Sequence, residues 1–346
     1  MRTMRLEGIV RQKDPELKQA VEQLARGQIG AAIDSLDRQG RVHEVKGHEE
    51  RITAIAREYV KSPESTLVVS PDNLSRTEIN RRIHAELQSR GIVSKEEHAV
   101  QTLVPRQEMT GADRSWAQQY QIDDILRYSR ASRETGIAKG DYTRVRSIDA
   151  QNNRLTVLRI DGSETTYDPR RQMGVSVYRE QEKVFSVGDR IQFTAPNHEL
   201  KIANRELGTV ESIALDGAMR LKLDSGRSMD YEPQRHPHLD HGYAVTSYCS
   251  QGQTADRVLI HVDTTLAAKD LLNNRMAYVA VSRGQWDAQI FTNDGQELPQ
   301  ALGHDVSHQS AHKPEPAIAP MQQQEAARSQ QPGQDLGMGM GIGLGF

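Results

Sequence analysis

In the N-terminal part of the chain the apolar positions fall at helical spacing, interrupted once by a short continuous apolar run. Leu17, Val21 and Leu24 share one helical face behind Asp14-Pro15, a capping residue followed by a first-turn proline, and Gly27 stops the pattern. A second helix is expected over Ile29 to Leu36, and a third around Ile52, Ile55, Ala56 and Val60. Thr66-Leu67-Val68-Val69-Ser70 has the length and branching of a buried strand, and Pro71-Asp72-Asn73 leads from it into a helix carrying Ile79, Ile83 and Leu87 that ends at Gly91. Strand, polar turn and helix make an α/β unit.

From Glu96 to Pro237 the pattern changes to strand-like alternation with closely spaced turn residues. An internal echo runs through it: Gly140-Asp141 followed by a strand, a hairpin and Tyr167-Asp168-Pro169 is answered by Gly188-Asp189, a strand, a hairpin and Tyr231-Glu232-Pro233. Two small antiparallel barrels or sheets are expected there, of SH3-like type if barrels. The α/β texture returns after Tyr243, with strands expected at Tyr243 to Thr246, Val258 to Val262, Ala277 to Val281 and Gln289 to Thr292, and a helix from Leu266 to Asn274. The expected organisation is one α/β domain, residues 1–95 and 238–297, interrupted by a β-rich insertion over 96–237. Residues 298–346 are rich in Gln, Pro and Gly and are expected to form a disordered tail.

Composition narrows the partners. With 44 basic and 47 acidic residues the net charge is −3, so nucleic acid must be met by a local groove and not by a global positive field. The single cysteine, Cys249, excludes an intramolecular disulfide and a Cys-rich zinc site. No apolar run reaches membrane-spanning length, and a cytoplasmic location is expected.

Two loops carry the candidate chemistry. Beyond Thr246 the chain passes Ser247, Tyr248, Cys249 and Ser250 to Gln251-Gly252-Gln253-Thr254, where hydroxyls and backbone N–H groups at a strand end suit anionic oxygens. A polar turn capping a helix accounts for the same residues. Arg283 follows the apolar run Ala277 to Val281, and a guanidinium fixed at the tip of a buried element is well placed to bind phosphate oxygens in a bidentate fork. Arg11-Gln12 ahead of the first helix is either a third phosphate contact or a flanking charge.

Together these segments resemble the ATP-driven helicases of superfamily one, and most closely the helicase part of conjugative relaxase-helicases of the TraI/TrwC kind. Arg11-Gln12 matches motif four, Thr246 with Ser250 to Thr254 matches motif five, and Tyr278 to Arg283 matches motif six. The resemblance implies a RecA-like second motor domain, related to P-loop NTPases but without its own P-loop. It implies that Arg283 is the arginine finger, that Arg11 and Gln12 contact the γ-phosphate region, and that Gln251, Gly252 and Gln253 couple nucleotide to DNA. Thr246, Ser247 and Ser250 would then touch the strand. The family often has His where Tyr248 stands and a basic residue or Ser where Cys249 stands.

No Gly-x-x-x-x-Gly-Lys-Ser/Thr occurs in the sequence, so ATP and Mg²⁺ are expected only in a complete two-domain protein, with none held tightly by this chain alone. The family places the Walker motifs ahead of the point at which this sequence begins, and the metal-binding histidines of the relaxase are also absent. Asp123-Asp124 is expected to be a solvated helix turn, and His236, His238 and His241 a linker, with no metal site. A basic run including Arg127 and Arg130, interleaved with Tyr128 and Tyr142, either lines a single-strand groove or is a solvated face. The functions that follow are the C-terminal half of an ATP-dependent DNA helicase of conjugation, with single-stranded DNA and a relaxase and first motor domain as partners, or else a non-catalytic single-strand binder or an inert fragment.

Overall fold

The computed structural model describes residues 11–106, 109–247, 250, 254–269 and 271–304. The expected tail lies mostly outside these residues, as do Gln251, Gly252 and Gln253.

The N-terminal elements follow their caps. Helix α1, Pro15–Ala25, begins where the Asp14 carboxylate accepts the Leu17 N–H at 2.7 Å, and buries Leu17, Ala20, Val21 and Leu24. Helix α2 spans Ile29–Arg38, strand β1 Val42–Glu44, helix α3 His48–Tyr59 and strand β2 Thr66–Ser70. Helix α4, Asn73–Ser89, is capped by Asp72 and has two buried faces. Ile79, Ile83 and Leu87 pack into an apolar cluster with β2, whereas Arg76, Asn80 and His84, one helical turn apart, form a buried polar row. That second face is invisible to an apolar period.

The central segment forms strands β3 His98–Pro105, β4 Ile125–Tyr128, β5 Tyr142–Asp149, β6 Arg154–Arg159, β7 Glu164–Tyr167, β8 Val175–Phe185, β9 Arg190–Phe193, β10 Leu207–Ile213, β11 Met219–Leu223, β12 Ser228–Tyr231 and β13 Leu239–His241. They build two antiparallel sheets, ordered β3-β8-β4-β5-β6-β7 and β12-β11-β10-β9-β13. Apart from β3 the orders coincide, with β4 to β7 answered by β9 to β12 and the start of β8 by β13. The repeat is detailed. Bridges Ser132 to Ile137 and Asn197 to Ile202 correspond, as do bulges after Val145 and Val210 and the ring pairs Tyr128–Tyr167 and Phe193–Tyr231.

The echo is therefore real, Tyr167 corresponding to Tyr231 as expected, and the expected register is corrected only at its start. Gly188-Asp189 corresponds to Asp123-Asp124, not to Gly140-Asp141. Several left-handed positions recur in the two copies, and two of them bear on the register: Asp123 and Gly140 in the first copy correspond to Gly188 and Arg205 in the second. Because glycine occupies opposite members of the pair, matching glycines misaligns the copies. Asp124 is also no solvated turn: it is 1% exposed and paired with Arg106 at 2.6 Å. β13 carries the β-rich segment on to His241.

The remaining elements are β14 Ala244–Thr246, β15 Ala255–Val262, a 3-10 turn Thr264–Lys269, α5 Asn274–Val281, β16 Gly284–Thr292 and α6 Leu298–Leu302. With β1 and β2 they make a mixed α/β layer around a parallel sheet ordered β1-β16-β15-β2-β14. The run Ala277 to Val281 is helix and not strand. Asn273 caps it through the Met276 N–H, and Met276, Ala277, Ala280 and Val281 are buried at helical spacing. The expected helix from Leu266 to Asn274 is correspondingly displaced. α6 corrects the tail boundary, since Leu298, Ala301 and Leu302 join the apolar cluster of α1 and α2. Among the described residues no helix is long and apolar enough to cross a membrane.

Candidate functional site

The start of β16 gathers residues from both ends of the chain. The Gln12 side-chain amide donates to the carbonyls of Ser282 and Gly284, each at 3.0 Å, and Arg11 donates to the Ser282 carbonyl at 3.1 Å. The Lys13 N–H bonds to the Gln285 carbonyl at 2.8 Å, so this stretch runs along the open side of β16. Arg283 lies in the turn between α5 and β16, held through Nε by the Val279 carbonyl at 2.8 Å. It is 6% exposed. Burial, and the neighbouring Arg11 guanidinium, push its pKa down. Two guanidiniums in one partly desolvated place disfavour each other and favour an anion. Arg11, Gln12 and Arg283, widely separated in sequence, thus form one cationic edge.

Thr246 stands at the other edge of the same sheet. In a parallel sheet all strands point one way, and Thr246 pairs with Ser70 at the C-terminal ends of β14 and β2. Ala255, at the start of β15, pairs with Gly284 and bonds through its N–H to the Arg283 carbonyl at 3.1 Å. Residues 247–254 therefore connect the Thr246 edge to the Arg283 edge, roughly 20 Å apart along the strand direction, since Ala255 precedes by two residues the Arg257 that pairs with Thr66. Ser247 is buried. Ser250 is fully buried and donates its hydroxyl to the Ser247 carbonyl at 2.7 Å, so it shapes the turn instead of presenting a surface oxygen.

Arg127 and Arg130 lie at the end of β4 in the first β-unit. The Arg127 guanidinium sits 5.8 Å from the Tyr142 ring centroid, and Arg130 is exposed beside Gly174. The run does not form a single face, because Tyr128 is buried and bonded to Thr143 and Tyr167 at 2.9 Å each.

The three late histidines have separate partners. His236 meets Asn197 at 2.8 Å and His238 Nε2 meets the Tyr142 hydroxyl at 2.6 Å, while His241 lies beside Asp189 and His84. Among the described residues, His84, Asp189 and His241 form the one His and acid group compact enough to hold a metal ion. Asp189, however, already accepts from His84 Nδ1 and the Ser186 N–H at 2.7 Å each, and from the Tyr243 hydroxyl. Although burial works against the charge, His241 and His84 hold this carboxyl below its ordinary range. Burial lowers the His84 pKa, but Asp189 and Glu97 outweigh it and raise the value overall. The arrangement is a buried ionic network across the junction of α4 and the second β-unit. Sequence reasoning missed it, and the only signal was a polar row at helical spacing on α4.

A family model described as an AAA domain matches residues 1–47. The multifunctional conjugation protein TraI of Escherichia coli is 25% identical over 266 residues, covering 75% of this chain and 15% of that protein. The conjugal transfer protein TraA of Rhizobium radiobacter is 31% identical over 112 residues, covering 32% of this chain and 10% of that protein. Among solved structures, Bacteroides Pif1 bound to single-stranded DNA matches at 14% identity with a TM-score of 0.43, covering 85% of this chain and 52% of that one. The chain thus spans a small fraction of the conjugation proteins it matches. Across 75% of its own length it is homologous to TraI, and over a shorter stretch to TraA.

Proposed function

We propose that this chain is the second, RecA-like motor domain of a conjugative DNA helicase, with two SH3-like barrels inserted into it. Arg283 acts as arginine finger and Arg11 with Gln12 as the companion γ-phosphate sensor. The supporting observation is the convergence of Arg11, Gln12 and Arg283 at the start of β16, on the sheet edge opposite Thr246. Phosphoryl transfer needs positive charge aimed at the transferring group, and a cationic edge on a rigid sheet provides it without supplying the phosphate cradle. The cradle and Mg²⁺ would come from a P-loop domain in the same protein or in a partner, with the nucleotide closed between the two.

Single-stranded DNA would lie across the opposite edge, touching Thr246 and reaching the first β-unit at Arg127 and Arg130. Residues 247–254 join the two edges, so closure on ATP can be felt at the strand. Turnover measured after adding a P-loop-bearing first motor domain tests the assignment. DNA-stimulated hydrolysis should appear on mixing and fall by a factor on the order of 10³ in Arg283→Ala. Full turnover by the isolated chain, or an unaffected Arg283→Ala, would count against it.

A further inference from the structure

The outer face of β9 carries two buried polar groups without partners. Ile191 and Phe193 belong to the apolar core of the second β-unit, so Gln192 and Thr194 point the other way, toward the first turn of α4. Gln192 is 4% exposed, and among the described residues neither its Nε2 nor the Thr194 Oγ1 has a hydrogen-bond partner. A buried donor left unpaired costs free energy that a ligand acceptor recovers. Both side chains line a cavity of about 310 Å³, open to solvent, between α4, β3 and β9. Leu103 and Pro105 of β3 give it an apolar wall, and Arg76 of α4 a guanidinium. Asp240, the one acid among the described lining residues, pairs across from Gln192, and its two oxygens are taken by Arg76 at 2.9 Å and by Lys183. What the cavity has left to offer is chiefly hydrogen-bond donors beside an apolar surface.

Its position is fixed by contacts on both sides. Asn73, the first residue of α4, comes three residues after Ser70, the partner of Thr246 across β2 and β14. On the other side the Thr194 N–H bonds to the His238 carbonyl at 3.0 Å, His238 Nε2 meets the Tyr142 hydroxyl at 2.6 Å, and the Tyr142 ring centroid is 5.8 Å from the Arg127 guanidinium. The cavity thus lies between Thr246 and Arg127, the two places assigned to DNA above. Its volume is at the low end of the roughly 300–1,000 Å³ of small-molecule sites, enough for a single base.

We propose that this cavity takes one unstacked base of the bound single strand, and that it favours a base presenting a carbonyl oxygen, as thymine does, over one presenting an amine in its place, as cytosine does. The two have rings of the same size, but thymine O4 accepts where cytosine N4 donates. The Thr194 hydroxyl can turn to suit either, whereas Gln192 Nε2 can only donate. The inference rests on the reading of the Thr246 edge as strand-binding and adds base selection to it.

Thr246, the cavity and Arg127 all lie on this chain, so the full chain is tested alone. Its affinity for oligo-dT and oligo-dC of equal length is measured by fluorescence anisotropy across a salt series. The parent should prefer oligo-dT on the order of fivefold, with equal salt slopes because the phosphates are the same. Gln192→Leu should remove the preference and leave oligo-dC affinity unchanged, and Thr194→Val should reduce it. Since the Gln192 amide donor is unpaired, Gln192→Leu should not lower the thermal midpoint. Arg127→Ala with Arg130→Ala should weaken both oligomers alike and keep the preference. Equal affinities in the parent, a preference that survives Gln192→Leu, or a lowered midpoint in that variant would each overturn the base pocket. The strand-binding reading would still stand if the arginine variant lost affinity. No binding of either oligomer at low salt would remove the strand edge and the pocket together.

Discussion

The two β-units share a fold and differ in what answers one buried acid. In the first, Asp124 is closed within its own unit by Arg106 at 2.6 Å. In the second, the corresponding Asp189 reaches out to His84 on α4 and to Tyr243 beside β14. Next to it the same helix sends Arg76 to Asp240 at 2.9 Å, with Lys183 on the other carboxylate oxygen, and Asn80 to the carbonyls of His241 and Ala244. The second unit is thereby fastened to the parallel sheet. The first is joined through the β3–β8 ribbon and through Tyr142 and Tyr178 against His238. A duplicated scaffold can serve as a mount in one copy and as a projecting arm in the other by changing the partner of one carboxylate.

The largest effect should come from the acids themselves. Removing one partner of a buried ion pair costs roughly 3–5 kcal/mol, so Asp124→Asn and Asp189→Asn should both be strongly destabilising. Their reach should differ. Hydrogen exchange should accelerate only in β4 to β8 for Asp124→Asn, but in β9 to β13 and α4 together for Asp189→Asn; matching protection maps would show that the two acids act alike.

Next is pH. The raised His84 pKa means that its contribution is fully present below the ordinary imidazole value of about 6.5, and is lost as pH rises through the native value. His238 and His261 act with the opposite sign. Burial, and next the guanidinium of Arg127 for the first and of Arg51 for the second, push each down to about 4. The unfolded chain then binds more protons between that value and about 6.5, so stability rises with pH across this window. Thermal melts should peak near neutrality, and His84→Gln should flatten the alkaline arm alone. A variant that still loses stability with pH above neutrality as the parent does would remove His84 from the account.

A smaller change should follow Tyr142→Phe, which deletes the hydroxyl bonded to His238 Nε2 and leaves that buried nitrogen unpaired, at a cost of about 1–3 kcal/mol. Small-angle scattering should show the first unit sampling a wider range relative to the second, and an unchanged profile would deny the arm its hinge. The smallest stability effect is expected for Arg127→Ala with Arg130→Ala, within about 0.5 kcal/mol each. The pair should lower single-strand affinity and reduce the salt slope by about 0.7 for each lost contact, and a slope equal to that of the parent would place the strand elsewhere.

Capped amphipathic helices and the first buried strand were legible because local chemistry determined them: Asp14 and Asp72 start α1 and α4, and Val68 and Val69 leave no polar face on β2. The run around Ala277 to Val281 was not, since a fully apolar stretch carries neither period and only Asn273 marked the helix start. The repeat was legible, and in register at Tyr167 and Tyr231, but not at its start, because Gly140 and Gly188 occupy different left-handed positions. Of the site, Arg11, Gln12 and Arg283 were visible only as separate motifs, and the parallel sheet brings them together. Asp124, Asp189 and His84 were illegible, as each takes its meaning from a partner remote in sequence.

The most direct measurement concerns the link between the two edges of the sheet. Single-strand affinity is measured for the chain joined to a P-loop domain, with and without a non-hydrolysable ATP analogue, in the parent and in Arg283→Lys. The parent should change affinity several-fold on adding the analogue, and Arg283→Lys should bind DNA alike in both conditions, because an ammonium cannot supply the bidentate fork. Equal nucleotide dependence in the two proteins would contradict the assignment of Arg283 as the reporter of bound phosphate.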